Sequence, residues 1–600
     1  MPRLRRRNRN NAMAISKRAR RIFSRAHFCF GTGGIFLICG VILLSGCVRH
    51  EPPADVTIIN GGEPESLDPA IITGQVEMRI VQGLFEGLTR LDPKTGRPIP
   101  GLAEGWETSP DGRIYTFHLR TNLIWSTGEP ITAGDVVYSW IRALNPATAS
   151  GYAGPLFYLK NAKDFNAGKI KDASLVGVQA LDKFTVRFDL DQPTAFFPDV
   201  CAMPVAGVVP QQTIEKQGDR WLMAKPLPVS GPYQLVYWRL NDKIRLQKNL
   251  RYWDATNTQS EIIDLLPVGS PNPALNLYEC GQADIVWDKD LVPGQLLDVL
   301  IRRPDFHAFN YLGDYFIRFN VTRKPFDDPR VRQALALAID KERIVKKITR
   351  AGEQPASHLV PDGTAHYTSP EGLGYDPARA RKLLAEAGYP AGRGFPRFEY
   401  VFSAPAGGGD KIHENIAIEL QQMWHDELGL QMNLRPLEAK IFYTAQSHLD
   451  FDLSRSSWTG DYDDANTFLE IFTSDDGNNR TGWKNAPYDE LIRQANQEPD
   501  LKVREKLFQQ AETILVRDEL PIIPLYFYVG LNYFDTNKIQ GIYPNILDNH
   551  PLQAIRKVGR GSSRLRSASP RQGVEGRGPE VAPAADSKNR QSAIGNRQSS

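Results

Sequence analysis

Residues 112–144 read GRIYTFHLRTNLIWSTGEPITAGDVVYSWIRAL, and a change of period inside them decides the fold class. Over GRIYTFHLR, apolar and polar side chains alternate, as in a strand with one buried face. From Thr132 the period lengthens. Thr132 and Asp135 form a capping-box pair, and Val136, Val137, Trp140, Ile141 and Leu144 share one helical face. The same two patterns recur along the chain. KFTVRFDL (183–190) alternates like a strand, and VTIING (56–61) opens the folded body with another. DDPRVRQALALAID (327–340) starts a helix with Asp328 as N-cap and Pro329 at the first helical position. YDPARARKLLAEAGY (375–389) repeats that device with Asp376 and Pro377 and stops at Gly388. Strands and helices mix without a strict βαβ rhythm, so the class is α/β.

The chain has 600 residues and a formal net charge of only +3. Much of the positive excess lies at the ends, from Arg3 to Arg21 and from Arg560 to Arg571. The body is near neutral, which argues against a nucleic-acid partner. Behind the basic start runs GGIFLICGVILLSGC (33–47), too short for a comfortable membrane span. Its end, Leu44-Ser45-Gly46-Cys47, resembles a bacterial lipobox. Residues 1–46 then read as a cleaved leader and 47–55 as a tether whose Cys47 carries diacylglycerol. An ordinary signal peptide or an uncleaved anchor is the alternative. Residues 558–600 have a disordered composition. Only Cys201 and Cys280 remain in the body, compatible with a disulfide in an oxidising compartment or with two free thiols.

No P-loop, H-E-x-x-H, nucleophile elbow or C-x-x-C occurs. The stretch RSSWTGDYDDANTF (455–468) concentrates aspartates among aromatics. In a calcium-loop register begun at Asp461, position five is Ala465, position six Asn466 and position twelve Phe472. That register lacks the required glycine and glutamate. An acid–base pair and a solvated Asp/Asn turn remain open. Trp458, Tyr462 and Phe468 favour a third reading, a carboxylate that holds an ammonium group.

GGEPESLDPA, LFEGLTRLD, GLAEGWETSPDGRIYTFHLR, WSTGEPITAGDVVYSW, SGPYQLVYW, NLRYWD, FDDPRVRQALALAIDKERIV, AEAGYP and TGDYDDANTFL follow one another over about residues 56–550. In that order they resemble the oligopeptide-binding proteins of bacterial ABC importers, family 5 of the periplasmic solute-binding proteins. The resemblance implies an α/β fold of the type II periplasmic-binding-protein kind, with two hinged lobes and an additional domain in the first. Lobe I would take residues 56–86, 212–312 and 529–557, the additional domain 87–211, and lobe II 313–528. The ligand implied is a short peptide held in extended form between the lobes, along residues 72–77 and 456–459. Asp461 and Tyr152 match the positions for the peptide amine, and Arg455 and His413 those for its carboxylate. Gly74, Gln75, Val76, Ser457, Trp458, Thr459, Trp287, Tyr311 and Tyr528 match backbone and pocket positions. Ala439 and Gln446 depart from a tryptophan and an arginine in other members, and Gln82 from a further arginine. Those changes imply an altered side-chain pocket. The family implies a monomeric, non-enzymatic subunit without a cofactor, anchored to the membrane by lipid. It would deliver peptides to a permease driven by cytosolic ATPases. The same scaffold serves muropeptides, nickel chelates, haem or opine-like compounds, and an extracytoplasmic hydrolase is a more distant alternative.

Overall fold

The computed structural model describes residues 51–404 and 411–558. The expected leader, the lipidated Cys47 and the tail beyond Val558 lie outside these residues.

One mixed sheet of eleven strands runs through the molecule. In chain order they are β1 (Val56–Ile59), β2 (Tyr233–Arg239), β3 (Lys243–Lys248), β4 (Ile262–Leu266), β5 (Ile285–Trp287) and β6 (Phe306–Phe319). There follow β7 (Gln354–Pro355), β8 (Phe398–Ser403), β9 (Met432–Leu437), β10 (Leu453–Thr459) and β11 (Ile522–Phe534). Their spatial order is β9-β8-β10-β6-β11-β5-β1-β4-β3-β2, and β7 pairs with β11.

The two long strands organise everything else. β6 and β11 pair antiparallel from Phe306–Tyr533 to Arg318–Ile522, with a register shift between Asn310 and Asp314. One end of this ribbon carries β5 and, through it, β1 to β4. The other end carries β10, which pairs with residues 313–319 of β6. A separate hydrophobic core forms at each end. Ile58, Leu84, Trp221 and Tyr233 belong to one, and Tyr315, Ile317, Leu335 and Trp424 to the other. A third core lies under a four-stranded antiparallel sheet in the order Ala103–Thr108, Ile114–Leu119, Thr185–Asp189, Val178–Ala180. There Phe117, Trp140, Phe188 and Phe197 pack against one another. We propose that 56–86 with 212–312 and 529–557, 313–528, and 87–211 are the domains that house these cores.

The helix signals lie where the residues place them. The helix Ala133–Leu144 begins with the Asp135 carboxylate accepting from the Thr132 backbone N–H at 2.8 Å. Asp328 and Asp376 each accept from the first turn of Pro329–Leu337 and Pro377–Glu386. One expectation needs correction, and one open alternative is settled. Residues 72–77 are not one extended segment, because Gln75 opens the helix α1 (Gln75–Leu84). Gly74 is its extended N-cap, at φ −98° and ψ 152°. The helix turns Ile80, Val81 and Leu84 into the core, which outweighs any extended preference. Cys201 and Cys280 are free thiols, the first buried in the third core and the second exposed.

Candidate functional site

A cavity of about 350 Å³ lies where the sheet, α1 and the third core meet. Asp461 enters it from the loop after β10 and Tyr152 from a turn of the third core. The Tyr152 hydroxyl donates to Asp461 Oδ1 at 2.6 Å across 309 residues of sequence. No other protein donor bonds that carboxylate among the described residues.

The loop is fixed by its other residues. Gly460 N–H donates to the Leu312 carbonyl at 2.8 Å, and Asp461 N–H to Thr467 Oγ1 at 3.1 Å. Tyr462 stacks on Phe196 with ring centroids 3.9 Å apart and planes 3° from parallel, and its hydroxyl pairs with that of Tyr158 at 2.7 Å. The neighbouring acids are not solvated turn residues. Asp463 and Asp464 are buried. Asp463 Oδ1 accepts from the Ala365 N–H at 2.8 Å. Asp464 accepts two bonds from the Arg504 guanidinium, at 2.6 and 2.8 Å, and one from the Asn466 N–H at 2.9 Å. Of the three aspartates, Asp461 alone faces the cavity.

Burial raises the Asp461 carboxyl above the usual carboxylate range, and the Tyr152 hydrogen bond only partly opposes this. Protein crowds the group although it stays open toward the cavity. Tyr152 is in turn raised by its own burial and by the Asp461 charge, so it stays a donor. Asp199, also at the wall, is raised well above the usual range by burial, then by Asp463 and Asp464. A carboxylate that is crowded, yet opens to a cavity, is chemically suited to pair with a cation.

Next to Asp461, β10 offers a backbone edge. It pairs with β6 along its whole length but with β8 only at Leu453 and Ser454. Residues 455–459 therefore have a ladder partner on one side only, among the described residues. Thr459 lines the cavity. Trp458 donates its N–H to Asp314 Oδ1 at 3.1 Å and packs its ring toward the core around Phe316 and Phe468. Across the cavity, Gln75 Nε2 donates to the Tyr311 hydroxyl at 2.5 Å. Trp287 Nε1 donates to Asn60 Oδ1 at 2.9 Å, and Asn60 Nδ2 donates to the Val76 carbonyl at 2.8 Å. Asn60 thus pins the Trp287 wall to the first turn of α1.

Arg455, His413 and Tyr528 do not line this cavity. They gather around the stacked rings of Tyr315 and Tyr526. The Arg455 guanidinium is 5.9 Å from the Tyr315 ring and the His413 ring 5.6 Å, while Tyr528 meets Tyr526 edge-on at 5.5 Å. Arg455 donates to Ser457 Oγ and Ser403 Oγ at 3.1 and 3.3 Å, so it is oriented by hydroxyls. Gln82 does line the cavity and accepts from Asn549 Nδ2 at 3.1 Å. Gln446 does not; it is buried and donates to the Arg455 carbonyl and Ser454 Oγ, both at 2.9 Å. Ala439 is exposed at the start of its helix. Sequence reading missed Arg79, Asn532, Asp548 and His550, which also form the wall. The run LDNHP (547–551) was the one visible signal, and it matches no motif with a fixed chemistry.

Two α/β lobes on a shared pair of long strands, with a polar cavity beside them, are the architecture of a hinged solute-binding protein of the type II periplasmic class. The family described as bacterial extracellular solute-binding proteins, family 5 middle, matches residues 97–480, and the chain belongs to it. It is similar to the periplasmic oligopeptide-binding protein OppA of Salmonella typhimurium, at 35% identity over 82% of this chain and 92% of the relative. It is equally similar to an Escherichia coli protein described as a probable deoxycholate-binding periplasmic protein, YgiS, at 35% identity over 78% and 87%. Among solved structures it resembles the E. coli murein tripeptide-binding protein MppA, with a TM-score of 0.69 and 31% identity over 85% and 99% of the two chains. No described helix is long and apolar enough to cross a membrane.

Proposed function

We propose that this protein captures short peptides in extended form between its lobes and delivers them to an ABC permease, without covalent chemistry of its own. The observation that carries this reading is the Tyr152–Asp461 contact at the cavity wall, beside the one-sided edge of β10. Tyr152 occupies one oxygen of Asp461, and the ammonium of a peptide N-terminus takes the other. The edge 456–459 then pairs with the peptide backbone, which is blind to side chains and gives broad specificity. Arg455 and His413, gathered around Tyr315, receive the carboxylate of longer peptides. A lipid on Cys47 tethers the protein outside the cytoplasm and holds it near its permease.

Calorimetric titration of the mature protein with trialanine and N-acetyl-trialanine tests the reading. Trialanine binds and the acetylated peptide does not. In Asp461→Ala, trialanine weakens by roughly 10- to 100-fold, the worth of about 1.5–3 kcal/mol for a charge-assisted bond. Equal affinity for the two peptides would refute the amine site. A bile-acid ligand, as the name of the E. coli relative suggests, fits less well. The Asp461 carboxylate opens into the cavity, and the one lining guanidinium, Arg79, already faces Asp288 at 3.6 Å, so an anion finds less to hold it there than an ammonium does.

A further inference from the structure

The cavity wall away from Asp461 holds a second polar group that the amine site does not use. Asp548 Oδ1 accepts from Asn532 Nδ2 at 3.0 Å and from His550 Nε2 at 2.9 Å. All three residues line the cavity. Asn532 is 1% exposed and His550 8%. Each still has one buried polar atom without a hydrogen-bond partner, Oδ1 of Asn532 and Nδ1 of His550.

The carboxylate decides what those two atoms are. It accepts only, so the Asn532 amide must turn its NH₂ toward Asp548 and keep its oxygen for something else. It likewise fixes the proton of the neutral imidazole on Nε2, which leaves Nδ1 an acceptor. One carboxylate therefore presets two buried acceptors, and a buried acceptor without a donor is costly. The missing partner is a hydrogen-bond donor, and the negative charge of Asp548 favours a cationic one. Arg79, the one Lys or Arg side chain among the lining residues, lies 5.6 Å from the Trp287 ring and turns to Asp288, at 3.6 Å, and to Gln75 Oε1, without a bond to Asp548, Asn532 or His550. Gln82 adds no charge to the wall. The Trp287 ring, 5.9 Å from that of His550, supplies an apolar flank.

We propose that Asp548, Asn532 and His550 form a subsite for a basic side chain of the bound peptide, a lysine ammonium or arginine guanidinium, distinct from the α-ammonium site at Asp461. The proposal rests on the peptide reading above and names the side-chain class that this pocket selects.

The test is a titration panel of trialanine and six variants, with lysine or its uncharged analogue norleucine at each of the three positions. Every peptide keeps its free N-terminus, so Asp461 is satisfied throughout. At one position lysine binds about tenfold or more tightly than norleucine, as expected for a charge-assisted contact in an enclosed site. Asp548→Asn brings that ratio to within about twofold of one. No lysine preference at any position, or a preference that survives Asp548→Asn, overturns the subsite. Should Asp548→Asn not fold, His550→Gln is titrated in its place with the same two outcomes, a ratio near one supporting the subsite and an undiminished ratio overturning it. Trialanine binding without a lysine preference removes the subsite and leaves the peptide reading standing. Failure of every peptide to bind removes both.

Discussion

Asp461 is a liability to the unliganded fold. Burial raises its carboxyl pKa above the unfolded value, so the folded chain disfavours the charged form. The sign follows. Asp461 costs no stability below the ordinary aspartate value, the cost grows as pH rises toward the raised value, and it is fully present above that value. Asp461→Asn is therefore expected to melt at the same or a higher temperature than wild type at pH 7, with the gap closing near pH 3. A lower melting temperature at pH 7 would show that Asp461 holds the fold together. Peptide affinity has its own pH dependence. It falls on acidification through the raised Asp461 value for free-amine peptides and stays flat for acetylated ones. Asp464 should behave in the opposite way. It shares a buried two-point bond with Arg504, and Asp464→Asn strands that guanidinium at about 3–5 kcal/mol, read as a loss of unfolding free energy in denaturant. By residue type and local pattern alone, Asp461 and Asp464 are equivalent members of one acidic run, and only the family resemblance singles out Asp461. What separates them is the partner, Tyr152 for one and Arg504 for the other, and both partners are remote along the chain.

At the scale of elements, the local signals were the legible ones. Thr132 with Asp135, Asp328 with Pro329 and Asp376 with Pro377 each start a helix because cap and first turn satisfy one another over three or four residues. The start of α1 escaped notice for the same physical reason in reverse, since Gly74 caps it without a side-chain bond. Its apolar positions Ile80, Val81 and Leu84 were the available signal. The end of β10 depends on Gly460 in a way no pattern reveals. A Cβ there would come within 2.6 Å of the Leu312 side chain and 3.0 Å of Phe468. Gly460→Ala should cost about 1–3 kcal/mol of stability by overpacking and displace the adjacent Asp461. Chemical denaturation and trialanine titration read the two effects, and unchanged peptide affinity would show that the loop tolerates the shift.

At the scale of the whole molecule, the site is a meeting of distant segments. Asp461 follows β10, Tyr152 comes from the third core, Trp287 ends β5, and Asp548 returns near the end of the described chain. Collinear resemblance could place Asp461, Tyr152 and Trp287, but the Asp548–His550 wall emerges only from folding. The contacts of Tyr152, Tyr158 and Phe196 with residues 461–462 join the third core to the β10 end of the sheet. Between the two ends of the large sheet, β6 and β11 form the continuous link, and their ladder is irregular only at Asn310–Asp314 and Tyr315–Phe316. An interrupted ladder bends more readily than a regular one, which makes this the place for a hinge. A peptide whose ammonium engages Asp461 while its side chains meet the Gln75–Trp287 wall across the cavity bridges both sides and favours the closed arrangement by its differential contacts. In small-angle X-ray scattering, saturating trialanine should therefore lower the radius of gyration of the wild type. Asp461→Ala should show no change at the same peptide concentration, and N-acetyl-trialanine should leave both proteins unchanged. A wild-type radius unaffected by a peptide that calorimetry shows to be bound would mean that capture proceeds without closure, and the hinge assignment to β6 and β11 would fall.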